Sequence, residues 1–221
     1  MHEQERGPCR GPSEKVNTMD TIAEYKLKSG NILKIFPDES DETPMDWDNL
    51  GVMVCFHKRH NLGNEHDYRE DDYGSWDEVR EAIIKKENPV VILPLYLYDH
   101  SGLRIKVGSF QGLLSQGHAE FDSGMVGFIF APREKVLKEY SVKRISPEIK
   151  EKVEKILRCE VEVYDQYLMG DVYGFKVVKP THCAECGHDD EEEIDSCWGF
   201  YGSDPKKNGM MDHIGDPIID E

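Results

Sequence analysis

In the segment LPLYLYDHSGLRI, Leu93 to Ile105, an apolar run ends in an acid, an imidazole and a hydroxyl at consecutive positions, Asp99, His100 and Ser101. An Asp beside a His orients the ring and raises its basicity, so the imidazole can act as a general base or a metal ligand. A second carboxylate, Asp122, stands in Phe121-Asp122-Ser123-Gly124 at the start of another apolar run, GMVGFIFAP. If the two runs are neighbouring strands, Asp99, His100 and Asp122 share one rim and form a candidate catalytic group. Carboxylates a few ångströms apart would also hold a hard cation such as Mg²⁺. Asp, His and Ser at adjacent positions cannot meet as a triad. The chain has no Gly-x-Ser-x-Gly elbow, P-loop, Gly-x-Gly-x-x-Gly or His-Glu-x-x-His.

Similar juxtapositions of polar residues and glycine recur along the chain. They place Asp46, Asp48, Asn49, Ser101, Ser123, Asp165, Gln166, Asp171, Trp198 and Tyr201 as candidate binding residues. Each motif taken singly is also ordinary turn or cap chemistry, because Asp and Ser bond their own backbone and Gly supplies positive φ. A different chemistry is offered by THCAECGHDDEEEIDSCWG. Cys183-x2-Cys186 has the spacing of a zinc half-site, with Cys197 a third ligand and His188 a fourth; His182 and His213 are alternatives. The competing reading is a solvated acidic loop with incidental cysteines, since Asp189 to Glu193 are five consecutive acids.

These residues need elements to hold them. Alternation on either side of Ser29-Gly30-Asn31 predicts a hairpin. NLGVMVCFHKR reads as a strand, and Ser75 with Glu78 predicts a capped helix ending near Asn88-Pro89. Val90 to Tyr98, LRIKV, GMVGFIFAP and DVYGFKVVK read as strands. PREKVLKEY is a short helix, and Ser146-Pro147 opens a long one that Gly170 closes. Without strict βαβ alternation, the expected fold is α+β, with a mixed or mainly antiparallel sheet, two or three packed helices and long acidic loops. Residues 1–19 are expected to be a disordered leader, residues 20–180 a single α+β domain, and residues 181–221 a Cys-containing acidic loop and tail.

The 221 residues include 27 Lys and Arg against 44 Asp and Glu, a formal net charge of -17. Such a balance repels nucleic acid phosphates unless the basic residues gather on one face, and no Lys/Arg run does so; direct nucleic-acid binding is not expected. No apolar run reaches the length of a membrane span, and the N-terminus lacks the apolar stretch of a secretory signal, so a reduced cytoplasmic setting is expected.

The segments WDNLGVMVCFHKRHNLG, LPLYLYDHSG, FDSGMVGFIF, YDQYLMGDVYGF and DSCWGFYG, spread from about Asn31 to Gly202, together resemble a family of proteins carried by bacteriophages and other mobile elements. The resemblance implies a genetic context and no particular reaction. With the charge, it leads to the expectation of an accessory protein that inhibits a host nucleic-acid-directed defence factor, such as a nuclease with a basic surface, by binding through acidic side chains. The alternatives are a hydrolase or nucleotide-processing enzyme built on the Asp/His group, and a protein that sequesters a nucleotide.

Overall fold

Alternating residues on both sides of Ser29-Gly30-Asn31 fold back on each other: β1 (Ala23–Lys26) pairs antiparallel with β2 (Ile32–Pro37), Tyr25 opposite Leu33. The computed structural model describes residues 20–39, 42–100, 102–112, 123–184 and 187–219. The chain forms two compact units, one from residues 1–38, 173–200 and 205–221 and the other from residues 39–172 and 201–204. Residues 20–180 therefore contribute to both.

The second unit is built on a sheet whose strands are β3 (Val52–Cys55), β4 (Pro89–Asp99), β5 (Leu103–Val107) and β6 (Ser123–Pro132), in the order β3-β6-β4-β5 with antiparallel pairing throughout. Side chains alternate between the faces of a strand, and β6 shows the consequence. Ile129 packs with Met53, Leu95, Val153, Leu157 and Val161 on one face, while Phe128 and Phe130 pack with Val54, Val79 and Ile83 on the other.

Helices cover both faces. α1 (Trp76–Glu87) begins where the Ser75 hydroxyl accepts the Glu78 N–H, and it ends at Asn88, which takes a left-handed conformation with φ 45° ahead of Pro89. Its buried Val79 and Ile83 each contribute on the order of 1.5–3 kcal/mol of burial. Pro132 precedes α2 (Arg133–Glu139). α3 (Pro147–Leu168) has Ser146 as its cap and Pro147 at its first turn, where the missing N–H has no partner to lose. The spacing of Val153, Leu157, Val161 and Tyr164 puts one buried stripe against the sheet.

The first unit holds a second antiparallel sheet, completed by β7 (Val172–His182) and β8 (Asp189–Tyr201) in the order β1-β2-β7-β8. A short helix, α4 (Met210–Ile214), adds Met210 to a core of Leu27, Leu33, Ile35, Phe175, Val177 and Phe200. The acidic segment read as a loop from Asp189 onward is therefore a strand. Remote lysines explain why: Lys34 on β2 bonds Glu191 at 2.6 and 2.7 Å, and Lys176 on β7 bonds Glu193 at 2.7 Å. None of the helices among the described residues is long and apolar enough to cross a membrane.

Candidate functional site

The strands that end at Asp99 and begin at Ser123 are neighbours. β4 pairs antiparallel with β6, and Tyr98 lies opposite Ser123. The chain leaving β3 reaches the same rim, because the Phe56 N–H donates to the Val126 carbonyl at 2.8 Å. Asp122 and Ser101 lie outside the described residues. The group that meets Asp99 comes from His57-Lys58-Arg59-His60. The Arg59 guanidinium donates to Asp99 Oδ2, and His57 Nε2 stands 3.8 Å from the same oxygen. The imidazole against Asp99 is thus His57. The sequence neighbour His100 is exposed, with its ring 6.1 Å from that of Tyr98. A depression of about 440 Å³ is lined by Phe56, His57, Arg59, Leu97, Asp99 and Ser123.

Hydrogen bonding defines what His57 can do. Its Nδ1 accepts the backbone N–H of Arg59 at 3.4 Å and of His60 at 3.2 Å. The neutral ring therefore carries its proton on Nε2, the nitrogen turned to Asp99. Burial, the stacked His60 ring at 5.1 Å and the Arg59 charge hold the His57 pKa below the ordinary imidazole value, against the opposing pull of Asp99. With Nδ1 accepting two backbone N–H groups, this imidazole offers no free lone pair to a substrate, and it is the Arg59–Asp99 bond that ties the chain after β3 to the end of β4. Sequence reasoning missed His57, Arg59 and His60; the signal was two histidines three residues apart at a strand end.

The other motifs resolve into clamps on the backbone. The Glu160 carboxylate on α3 accepts the N–H groups of Leu50 at 2.7 Å and Gly51 at 2.9 Å. Burial raises the Glu160 pKa, while those two N–H groups and Lys135 pull it down. Gly51 admits this approach because it has no Cβ: one added there would lie 2.5 Å from Glu160 Oε2 and 2.6 Å from Leu157 Cδ2. Asn49 donates to the Pro44 carbonyl at 2.6 Å and accepts from the Lys135 ammonium through its own carbonyl; the same ammonium lies 2.9 Å from Asp48. The hydrogen bond and charge of Lys135 lower the Asp48 pKa.

Asp165 behaves as Glu160 does, accepting the Ile105 N–H at 2.7 Å and the Arg104 guanidinium at 3.0 Å. The hydrogen bond from Arg104 raises the Arg104 pKa. Tyr164 accepts the Gly63 N–H at 3.0 Å. Asp171 joins the Gln166 carbonyl through its N–H and the Gly202 N–H through its carbonyl, both at 2.9 Å. Trp198 lies flat on Gly174, where a Cβ would sit 2.0 Å from the indole. Tyr201 meets Trp47 edge-to-face, with ring centres 5.4 Å apart.

The zinc residues are not all brought together. Cys183 and His188 share the β7–β8 turn, the Cys183 N–H donating to the His188 carbonyl at 2.9 Å. Cys197 stands eight positions beyond Asp189 along β8, roughly 26 Å at about 3.3 Å per residue. Cys186 lies outside the described residues. A closed site using both Cys183 and Cys197 does not fit this hairpin. Among the described residues, no three His, Cys, Asp or Glu side chains are grouped to hold a metal ion.

β8, an edge strand, carries the run of consecutive acids. Asp189, Asp190, Glu191, Glu192, Glu193 and Asp195 are all exposed. Lys34 sits between Glu191 and Glu24; burial alone would lower its pKa, but the hydrogen bond and charge of Glu191 outweigh burial and raise it. The N–H groups of Glu191 and Ser196 donate to the preceding carboxylates, Asp190 and Asp195, each at 2.9 Å. A charged edge whose amides are covered in this way resists pairing with another strand. The chain matches no family model, no curated protein and no solved structure.

Proposed function

We propose that the protein is an inhibitor that binds a basic, nucleic-acid-directed factor through the acidic strand β8, occupying the groove meant for nucleic acid. In the phage or mobile-element setting implied by the motif resemblance, that factor is a host defence nuclease or effector. The observation that carries the reading is the run Asp189 to Glu193 in extended conformation on an exposed sheet edge. A strand advances about 3.3 Å per residue, and one strand of duplex DNA carries a phosphate about every 3.4 Å of axis. Consecutive acids on β8 thus repeat at nearly the phosphate rise, alternating between the two faces of the edge. A net charge of -17 adds long-range attraction toward a basic surface and speeds encounter.

The Asp/His enzyme and nucleotide-binding alternatives draw on the rim, where Asp99 and His57 are already engaged by local partners. The test uses capture from a host lysate by the intact protein, followed by DNA competition on the captured factor. A basic nucleic-acid-binding protein should be captured, released by duplex DNA, and retained at least about tenfold less by the variant D190N/E192Q/D195N, a loss of about 1.4 kcal/mol. Capture that is indifferent both to DNA and to those substitutions would refute the reading.

A further inference from the structure

The second unit presents an aromatic pair that its fold buries only in part, Trp47 exposed and Tyr201 half-buried. Trp47 is 43% exposed, although it stands in a loop pinned at almost every position. The Thr43 hydroxyl accepts the Met45 N–H, the Trp47 carbonyl accepts the Asn49 N–H at 2.8 Å, and Glu160 holds Leu50 and Gly51. A loop this well fixed could turn its indole inward at little cost in order. Instead the ring stands against Tyr201 at an interplanar angle of 81°, an arrangement that covers one ring face at most. An exposed Trp on a rigid support, backed by a half-buried Tyr, is what interface hot spots are made of, because little side-chain freedom is lost on binding.

Charge identifies the occupant. Asp46 and Asp48 flank the indole in sequence and both are exposed. Asp48 is shared with Lys135, whereas the Asp46 carboxylate has no ion-pair partner among the described residues. An aromatic face beside a carboxylate takes a cation, and a guanidinium suits it better than an ammonium: it is planar, weakly hydrated and able to stack while it bonds the carboxylate. We infer that Trp47, with Tyr201 against it and Asp46 adjoining it in sequence, receives an arginine side chain of the basic partner, which makes this residue a second contact point on the protein. The inference rests on the reading of the protein as a binder of basic partners and adds to it which basic residue is recognised and where.

The experiment is a titration of the isotope-labelled full chain with octa-arginine and octa-lysine at about 0.15 M salt, following the indole N–H resonance assigned to Trp47 by its loss in W47F. Octa-arginine should shift that resonance. W47A should weaken octa-arginine binding about 5- to 30-fold, the range of a stacked cation, and leave octa-lysine within about twofold. W47F should retain most of the affinity, which separates ring chemistry from loss of fold. If W47A binds octa-arginine like wild type while D190N/E192Q/D195N loses it, the arginine site is wrong and the acidic-strand reading stands. If wild type binds neither peptide in a salt-sensitive way, the acidic-strand reading fails and the inference falls with it.

Discussion

Glu160 and Asp165 on α3 and Asp190 and Glu192 on β8 are the same chemistry in opposite circumstances. The α3 carboxylates are turned to backbone N–H groups of Leu50, Gly51 and Ile105, more than fifty residues away in sequence. Those on β8 lie exposed on a sheet edge, where the Asp190 carboxylate takes the N–H of its neighbour Glu191. The first pair satisfies donors that would otherwise be stranded, so it holds the fold. The second pair contributes little to the fold and much to the field around the molecule. An acidic protein therefore divides its acids by what faces them, and the same division separates residues that specify structure from residues free to meet a partner.

The largest effect expected from breaking this division is at Gly51. Gly51→Ala places a methyl 2.5 Å from Glu160 Oε2, 2.6 Å from Leu157 and 2.9 Å from Ile129. Overpacking plus the displaced carboxylate should cost about 2–4 kcal/mol in urea unfolding. Glu160→Gln comes next. One amide bond survives, but the new NH2 faces a backbone N–H, and a loss of about 1–3 kcal/mol is expected. Stability within about 0.5 kcal/mol of wild type would show that the clamp is not structural. D190N/E192Q/D195N should in turn leave unfolding within about 0.5 kcal/mol while removing partner capture; unfolding at lower urea would place these acids with the clamps.

The smallest effect is the acid dependence of the rim. The folded-state pKa of His57 is depressed, so the unfolded chain takes up that proton first as pH falls. Stability assigned to His57 is full above the ordinary imidazole value near about 6.5 and declines as pH drops from there toward the depressed value. His57→Gln should flatten this part of the stability profile below about pH 6.5. A profile identical to wild type would remove His57 from the account.

Much of this was legible in the chain. Ser75 with Glu78, Asn88 before Pro89, and Ser146 before Pro147 mark helix ends through local chemistry, and the structure uses all of them. The Val90–Tyr98 and GMVGFIFAP strands were legible as long apolar runs; that they are neighbours was a condition in the sequence, and the structure pairs them. What escaped was set by distant partners. Glu160 occupies a position on a long amphipathic helix that resembles any solvent-facing acid, and nothing near it announces Gly51. The strand β8 escaped for the same reason. Five acids in a row disfavour a strand locally, and partners from other strands, Lys34, Lys176 and His182, offset that. His57 escaped because the eye goes to Asp99-His100, whereas the imidazole that meets Asp99 arrives from the end of β3.

The central claim is that the β8 acids carry the interaction. The measurement that meets it most directly is the salt dependence of affinity between the captured partner and the protein, wild type against D190N/E192Q/D195N. Exposed charges are screened over about 10 Å at about 0.1 M salt, so binding through β8 should weaken steadily as salt rises. The account predicts a steep decline for wild type and a weaker, distinctly shallower one for the variant. Equal affinities and equal slopes for the two proteins would contradict it.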